Sequence, residues 1–315
     1  MAERAYLVAD IGGTNARLAL SDGARLESRV MVASTASLND VAGLAEAVRS
    51  AFDDPSLAGC CVAMAGPVHG NQGSMTNESL TVSGDALGAE LGCPVRVVND
   101  FYAMARGIPF LGHLHRIGPG EPRDGVRALI GPGSGLGMGV LVPMPGRPPL
   151  VLPSEGGHAD LAPGSPLEQE VLQVLAARLA HVSWESVLSG PGLVNLYAAL
   201  CAIWGVPEEE LAPEEISRQG LAVEDPICHQ VLELFFGFLG AAAGNLALTV
   251  CAEGGVYIGG GIVPQLVDFA DSSPLRRRFE ERGVLTDYAA RLPLYIIEDE
   301  FPGLLGAVAC LADQP

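Results

Sequence analysis

Short apolar runs separated by glycine-rich turns occur in both halves of the chain. Residues 6–9 have the pattern of a strand, residues 10–15 that of a turn, and residues 17–21 that of a second strand. A related pattern returns at residues 127–142, where two strand-like runs flank a turn over residues 131–135. Two such units about one domain apart indicate a duplicated architecture, although two unrelated tight hairpins would look the same.

Helical spacing of apolar residues predicts most of the remaining elements. Residues 38–52 have this spacing after Ser37, a candidate N-cap. Residues 59–66 and 93–98 have the composition of short buried strands, and a break follows at residues 107–109. Further helices are predicted at residues 166–180, 192–204, 227–250 and 274–282, and a last one at residues 303–311 that could return to the first domain. Strands that alternate with helices indicate a largely parallel, covered sheet in each half.

One apolar segment is long enough to cross a bilayer. Residues 234–252 contain no charged side chain, but they include three glycines, Asn245 and Thr249. Glu233 and Glu253 flank the segment, and no Lys or Arg anchors it. A helix buried inside a large domain explains the segment better than a membrane span.

Composition excludes several classes of partner and mechanism. The chain has 315 residues, enough for two domains, and a net charge of −19, which opposes binding to nucleic acid or to an anionic membrane. All 18 basic residues are arginine. Without lysine there is no Walker-A loop, no protein-kinase phosphate lysine and no Schiff base.

The seven cysteines show no Cys-x-x-Cys spacing, and most lie in apolar surroundings. Free, buried thiols in a reducing cytosol are the simplest interpretation. Residues 1–6 run directly into the first strand and lack the features of a signal peptide. We therefore expect a cytoplasmic protein.

The glycine turns are candidates for phosphate binding. The first strand ends at Asp10 and turns through Gly12, Gly13 and Thr14, whose amide groups could approach a phosphate, while Asp10 could hold Mg²⁺ or its waters. The turn at Gly133, Ser134 and Gly135 could act in the same way. Rossmann spacing fails at residues 133–138 and 259–264, and no serine lies in a G-x-S-x-G elbow.

Carboxylates, an amide and an imidazole form candidate sites for a polyol. Asn99 and Asp100 follow an apolar strand, although Asp100 could instead be a helix N-cap. A turn with two glycines contains Glu155, His158 and Asp160. Such a turn does not form the helix on which E-x-x-H metal ligands normally lie. Glu185 precedes a helix start at residues 189–192. Sugar hydroxyls both donate and accept, so these side chains suit a sugar.

Five motifs carry a resemblance to a known family. They are Asp10-Ile11-Gly12-Gly13-Thr14-Asn15-Ala16-Arg17, Asn99-Asp100-Phe101, Glu155-Gly156-Gly157-His158-Ala159-Asp160, Leu188-Ser189-Gly190-Pro191-Gly192-Leu193, and Gly254-Gly255-Val256-Tyr257-Ile258-Gly259-Gly260-Gly261-Ile262-Val263-Pro264. Through these motifs, in this order, the chain resembles the proteobacterial-type glucokinases of the actin-like ATPase and sugar-kinase superfamily. The resemblance extends from Val8 to about Ala307. Two departures are Glu78 after Met75-Thr76-Asn77, where tryptophan is frequent, and Ser134, where threonine is common.

The resemblance implies an α/β, two-domain actin-like ATPase (ribonuclease H-like) sugar kinase fold with an interdomain cleft. The small domain would comprise residues 1–108 and 301–315, and the large domain residues 109–300. The family also implies a homodimer that uses ATP and Mg²⁺. Zinc-binding relatives have a cysteine cluster after their Glu-x-Gly-His motif, which does not follow His158 here, so no structural zinc is expected.

Roles for single residues also follow from the resemblance. Asp100 would be the general base at the 6-hydroxyl of glucose, and Asn99, Asp100, Glu155, His158 and Glu185 would bind the sugar. Asp10 would serve the Mg²⁺ of ATP, directly or through water. The predicted nucleotide contacts are Ala9, Asp10, Ile11, Gly12, Gly13, Thr14, Asn15, Gly133, Ser134, Gly135, Gly260 and Gly261.

Two alternatives remain open at this point. The substrate could be another hexose, such as mannose, fructose or an N-acetylated amino sugar. The chain could also be a sugar-sensing regulator on the same fold. Such regulators carry an N-terminal helix-turn-helix, whereas a strand is predicted here by Tyr6, and the acidic charge opposes DNA binding.

Overall fold

The computed structural model of the protein describes residues 5–75 and 80–312, apart from the side chain of Ser28. The predicted family departure at Glu78 lies outside these residues. The chain divides into two compact units, the first formed by Met1–His113, Met144–Val151 and Asp299–Pro315, and the second by Leu114–Pro143 and Leu152–Glu298. This division differs from the predicted boundaries by a few residues and also assigns Met144–Val151 to the first unit.

The first unit is a mixed sheet with helices on both faces. Its elements are β1 (Ala5–Ile11), β2 (Asn15–Ser21), β3 (Leu26–Ser34), α1 (Val41–Phe52), β4 (Leu57–Met64), β5 (Val68–His69), β6 (Gln72–Ser74), β7 (Thr81–Ser83), α2 (Gly84–Leu91), β8 (Val95–Asn99), α3 (Asp100–Gly107) and, at the end of the chain, α11 (Pro302–Leu311). The main sheet has the order β3-β2-β1-β4-β8, and β5, β6 and β7 form a small sheet of their own.

Alternation along β1 explains why both faces of this sheet are covered. Leu7 and Ile11 are fully buried in one cluster with Leu44 of α1 and Leu87 of α2. Val8, which lies between them in sequence, is buried on the opposite face with α11. Successive side chains of a strand point to opposite faces, so a central strand with apolar residues at both sets of positions is buried on both sides.

The second unit has a six-stranded sheet and more helix. Its elements are β9 (Leu114–Arg116), β10 (Arg127–Pro132), β11 (Leu136–Val142), β12 (Leu150–Ser154), α4 (Pro166–Ala176), α5 (Gly190–Trp204), α6 (Pro213–Leu221), α7 (Pro226–Val250), β13 (Val256–Ile258), α8 (Val267–Ser272), α9 (Leu275–Glu280), α10 (Thr286–Arg291) and β14 (Leu294–Ile297). The strand order is β12-β11-β10-β13-β14-β9.

The long helix α7 is the apolar segment that could have been a membrane span. Among the described residues it is the one helix long and apolar enough to cross a bilayer, but 78% of its most apolar window is buried inside the protein. Phe235, Phe236 and Phe238 are fully buried there. This burial favours the predicted interpretation as a core helix.

An antiparallel hairpin leads into parallel strands in both units. β1 pairs antiparallel with β2 and parallel with β4, and β10 pairs antiparallel with β11 and parallel with β13. The repeated strand–turn–strand unit predicted from the sequence is therefore confirmed. The prediction of largely parallel sheets is wrong, because each glycine turn reverses the chain and makes the sheet mixed.

The predicted N-cap of α1 is also wrong. Asp40, not Ser37, precedes the helix, and its side chain accepts a hydrogen bond from the amide of Gly43 at 2.8 Å. Ser37 instead lies in a single 3₁₀ turn and donates its hydroxyl to the carbonyl of Ser34 at 2.6 Å. A carboxylate three residues before a free amide satisfies one of the unpaired helix N–H groups.

Candidate active site

Asp100 stands where β8 ends and α3 begins. Asn99 is the N-cap of α3, because its side-chain oxygen accepts from the amide of Tyr102 at 3.0 Å. Asp100 is therefore not needed as the cap, and the N-cap interpretation of Asp100 is wrong. Its Oδ1 accepts from the amide of Phe101 at 2.9 Å and from the side-chain nitrogen of Asn99 at 2.9 Å. These two bonds fix one carboxylate oxygen of Asp100.

Asn99 has a demonstrable structural role beside its predicted sugar contact. Its side-chain nitrogen donates to Asp100 and also to the carbonyl of Gly66 at 3.2 Å. Both hydrogens of the Asn99 amide group are therefore used. Its oxygen accepts one hydrogen bond, from Tyr102, and can accept a second one from a sugar hydroxyl.

Asp10 lies at the same edge of the sheet as Asp100. β1, β4 and β8 are parallel neighbours, with Asp10 in register with Ala63 and Asn99 in register with Met64. The carboxyl ends of the three strands therefore meet at one edge, where open α/β sheets bind ligands. On its other side Asp10 is in register with Arg17 of β2, whose guanidinium lies 3.8 Å from the carboxylate.

Both carboxyl groups are harder to ionise than an ordinary carboxyl group, and Asp10 adds to this effect at Asp100. Burial, and after it the like charge of Asp10, raises the pKa of Asp100 from its ordinary 3.8 to about 7, although the Phe101 amide and Asn99 oppose this shift. Burial likewise raises the pKa of Asp10, and Arg17 opposes that shift. A carboxyl group with a pKa near neutrality is half protonated at pH 7 and is suited to proton transfer.

The first glycine turn, residues 12–14, connects β1 to β2. Gly12 donates to the carbonyl of Asn15 at 3.0 Å, and Thr35 holds the turn from outside through the carbonyls of Gly12 and Thr14, at 2.7 and 3.0 Å. Within the described part of the chain, the amides of Gly13 and Thr14 donate to no acceptor. Two adjacent N–H groups are thus available to an anion.

Two other predicted nucleotide contacts are core residues. Ala9 and Ile11 are fully buried in β1, so any contact they make with a ligand would use the main chain. Asn15, the first residue of β2, is exposed.

The second glycine turn, residues 133–135, connects β10 to β11. The amide of Gly133 donates to the carbonyl of Gly135 at 2.8 Å, and the carbonyl of Gly133 accepts from Gly190, the first residue of α5, at 2.8 Å. Ser134 is exposed, and among the described residues the amides of Ser134 and Gly135 find no acceptor. Both turns therefore leave two consecutive amides free.

Gly260 and Gly261 lie beside the second glycine turn. Gly260 has a φ of +84°, and a methyl group there would overlap the carbonyl of Pro132. A methyl group on Gly133 would lie 3.9 Å from the amide of Gly261. The structure thus brings together the predicted nucleotide contacts of the second unit, from the ends of β10 and β13.

Glu185 and His158 form the core of the predicted sugar cluster. The amide of Glu185 donates to the carbonyl of Gly157 at 2.9 Å, and Nδ1 of His158 lies 3.8 Å from Oε1 of Glu185. Glu155 and His158 are both exposed; Glu155 precedes a single 3₁₀ turn, and His158 is its last residue. Asp160 lies 3.6 Å from Nδ1 of His181, and Nε2 of His181 lies 3.1 Å from the carbonyl of His158.

The residues around Asp10 fit a magnesium ion that is held largely by its nucleotide. Among the described residues, no group of three or more His, Cys, Asp or Glu side chains is arranged to hold a metal. Asp10 is half-buried with a raised pKa, so a cation nearby would offset the cost of its charge. One carboxylate with water and phosphate oxygens is a usual arrangement for Mg²⁺.

Sequence reasoning missed Gly303, the second residue of α11. A methyl group at this position would overlap the Asp10 carboxylate, with its Cγ at 2.5 Å. Any side chain at this position would therefore force the Asp10 carboxylate to move. No local pattern reveals such a contact, because it joins the two ends of the chain.

Comparison with known proteins agrees with these observations. The Glucokinase family profile matches residues 7–314. A glucokinase of Aromatoleum aromaticum is 46% identical over 313 residues, covering 97% of this chain and 94% of the relative. The crystal structure of glucokinase from an Antarctic psychrotroph has a TM-score of 0.85 at 33% identity and covers 98% of this chain and 99% of its own.

A more distant structure shares the fold. The ROK family glucokinase from Streptomyces griseus, solved in complex with glucose and AMPPNP, has a TM-score of 0.65 at 20% identity, with 98% of this chain and 100% of that chain covered. The actin-like sugar kinase fold predicted from the sequence is confirmed. With the family profile and a close relative each covering nearly the whole sequence, the chain belongs to the glucokinase family.

Proposed function

We propose that this protein is an ATP-dependent kinase that phosphorylates glucose at the 6-hydroxyl, with Asp100 as the general base. The observation that carries the proposal is the state of the Asp100 carboxylate, which is half-buried at the carboxyl end of β8 and has a pKa of about 7. A base is most effective when its pKa lies near the operating pH. A carboxylate with only a structural role on the surface does not need a pKa near 7.

The proposed step moves one proton and one phosphoryl group. Asp100 accepts the proton of the 6-hydroxyl as its oxygen forms a bond to the γ-phosphorus of ATP. The bond between that phosphorus and the β–γ bridging oxygen breaks, and ADP leaves. In such transfers a protein contributes mainly positioning and charge stabilisation.

The nucleotide is proposed to bind at the two glycine turns. Among the described residues, each turn has a pair of amides without an acceptor, Gly13 and Thr14 in the first turn and Ser134 and Gly135 in the second. ATP as the donor is supported by the ROK family relative that was solved with AMPPNP. Because the chain has no lysine, the charge of the phosphates would be offset by the metal, by backbone amides and by arginine.

The proposed sugar-binding residues are Asn99, Asp100, Glu155, His158 and Glu185. Carboxylates accept hydrogen bonds from hydroxyls, and a neutral imidazole both donates and accepts. Glucose is supported as the substrate by the glucokinase relatives. We further propose that Asp10 serves Mg²⁺, which when bound would offset charge on the phosphates, and that the enzyme is a cytoplasmic homodimer.

A hexose panel tests the proposed reaction. ADP release is measured with glucose, mannose, fructose and N-acetylated amino sugars, each with and without Mg²⁺. We expect the highest kcat/KM with glucose and no turnover without the metal. A higher kcat/KM with another hexose would move the assignment to that sugar, and sugar binding without any turnover would favour the regulator alternative.

A further inference from the structure

Glu185 contacts two parts of the second unit at once. Its Oε2 accepts a hydrogen bond from the amide of Leu136 at 2.8 Å, and its Oε1 faces His158. Leu136 is the first residue after the second glycine turn, so the bond fixes the position where that turn rejoins β11. One carboxylate therefore lies between the proposed sugar cluster and the proposed phosphate turn.

Glycines surround this carboxylate at positions where there is no room for a side chain. A methyl group on Gly135 would lie 2.6 Å from Oε2 of Glu185, and one on Gly157 would overlap the carbonyl of Leu136. The amide of Glu185 also bonds to the carbonyl of Gly157. The main chain of Leu136 is thus contacted at its N–H by Glu185 and at its C=O by the segment that carries His158.

We propose that Glu185 is a positioning residue for nucleotide binding as well as a sugar ligand, and that it couples the two. This inference rests on the proposed function of the second glycine turn. A sugar that fixes Oε1 restricts rotation of the carboxylate, which strengthens the bond of Oε2 to Leu136. The turn then presents the Ser134 and Gly135 amides in one geometry, so bound glucose tightens nucleotide binding, and by reciprocity nucleotide tightens glucose binding.

Calorimetric binding of MgADP, with and without saturating glucose, tests this coupling. Without glucose, Glu185→Ala should bind MgADP about tenfold more weakly than the wild type, the effect of losing one hydrogen bond to a charged group. Glucose should tighten MgADP binding to the wild type but not to this variant. Glu185→Gln keeps an oxygen that can accept from Leu136, so it should retain MgADP affinity while its glucose affinity falls.

His158→Ala is the matched control, because His158 belongs to the same cluster but has no bond to Leu136. It should lose glucose affinity and keep the MgADP affinity of the wild type measured without glucose. Wild-type MgADP affinity in Glu185→Ala would overturn the inference. Failure of the proposed function is distinguishable, since the wild type itself would then fail to bind glucose, to bind MgADP, or to turn over glucose.

Gly135→Ala tests the same link from the other side and does not depend on the folding of Glu185→Ala. Its methyl group would displace the Glu185 carboxylate, so its glucose affinity should fall several-fold although the substitution lies in the turn. Folding of each variant is checked by circular dichroism. An unchanged glucose affinity in folded Gly135→Ala would contradict the coupling.

Discussion

Replacing Asp100 by asparagine should make the protein more stable, with a gain that depends on pH. The side chains have nearly the same shape, and asparagine keeps an oxygen that can accept from Phe101 and Asn99. The substitution therefore removes mainly the charge of this half-buried carboxylate. Because the pKa of Asp100 rises from 3.8 to about 7 on folding, the native state binds this proton more tightly than the unfolded chain.

The sign and size of the effect follow from linkage. Between pH 3.8 and pH 7 the folded protein holds the proton that the unfolded chain has lost, so the contribution of Asp100 to stability falls as the pH rises. The full cost is about 4 kcal/mol above pH 7, from about 1.4 kcal/mol for each unit of pKa. The advantage of Asp100→Asn should therefore grow from roughly 2 kcal/mol at pH 5 to about 4 kcal/mol at pH 8.

Urea unfolding at several pH values measures this advantage. Far-ultraviolet circular dichroism is the suitable signal, because both tryptophans, Trp184 and Trp204, lie in the second unit whereas Asp100 lies in the first. Asp22→Asn is the control in the first unit. Two backbone amides lower the pKa of Asp22, so its replacement should bring no gain at high pH. A gain for Asp100→Asn that is absent, or that does not change with pH, would refute the reasoning.

Two further predictions concern the surroundings of the base. Asp10→Asn removes a like charge near Asp100 and so lowers the pKa of Asp100. The acid limb of the pH profile of kcat/KM should therefore move to lower pH. An unmoved limb would contradict the effect of Asp10 on Asp100. Gly303→Ala should lower kcat and destabilise the protein by about 1–3 kcal/mol, because its methyl group clashes with Asp10. In a variant that also carries Asp10→Ala, this destabilisation should largely disappear. The control Gly112→Ala, whose methyl group would lie 3.7 Å from Asp299, should be tolerated in both assays.

The sequence predicted the elements whose pattern is local. The two hairpins, the buried strand β4 and the core helix α7 have clear apolar runs, and their ends were placed to within a few residues. The N-cap of α1 was misplaced because serine and aspartate both cap helices, and only the backbone geometry at Asp40 distinguishes them. The short strands β5, β6 and β7 carry too few residues for a pattern to emerge.

In the site, too, the sequence predicted what lies in local motifs and missed what depends on contacts between distant segments. Asn99, Asp100 and the glycine turns lie in motifs of contiguous residues, so their presence could be predicted. The pKa of Asp100 is raised first by burial and then by the charge of Asp10, and both depend on the folded chain: the order of β1, β4 and β8 in the sheet brings Asp10 near Asp100. The contacts of Gly303 with Asp10 and of Glu185 with Leu136 likewise join segments that only the folded chain brings together.

Turnover of glucose by Asp100→Asn tests the central claim most directly, provided that calorimetry shows the variant still binds glucose. Loss of a general base costs about 100-fold to 10,000-fold in rate, so kcat should fall at least about 100-fold while the fold is retained. Turnover within a few-fold of the wild type would mean that Asp100 does not accept the proton of the 6-hydroxyl.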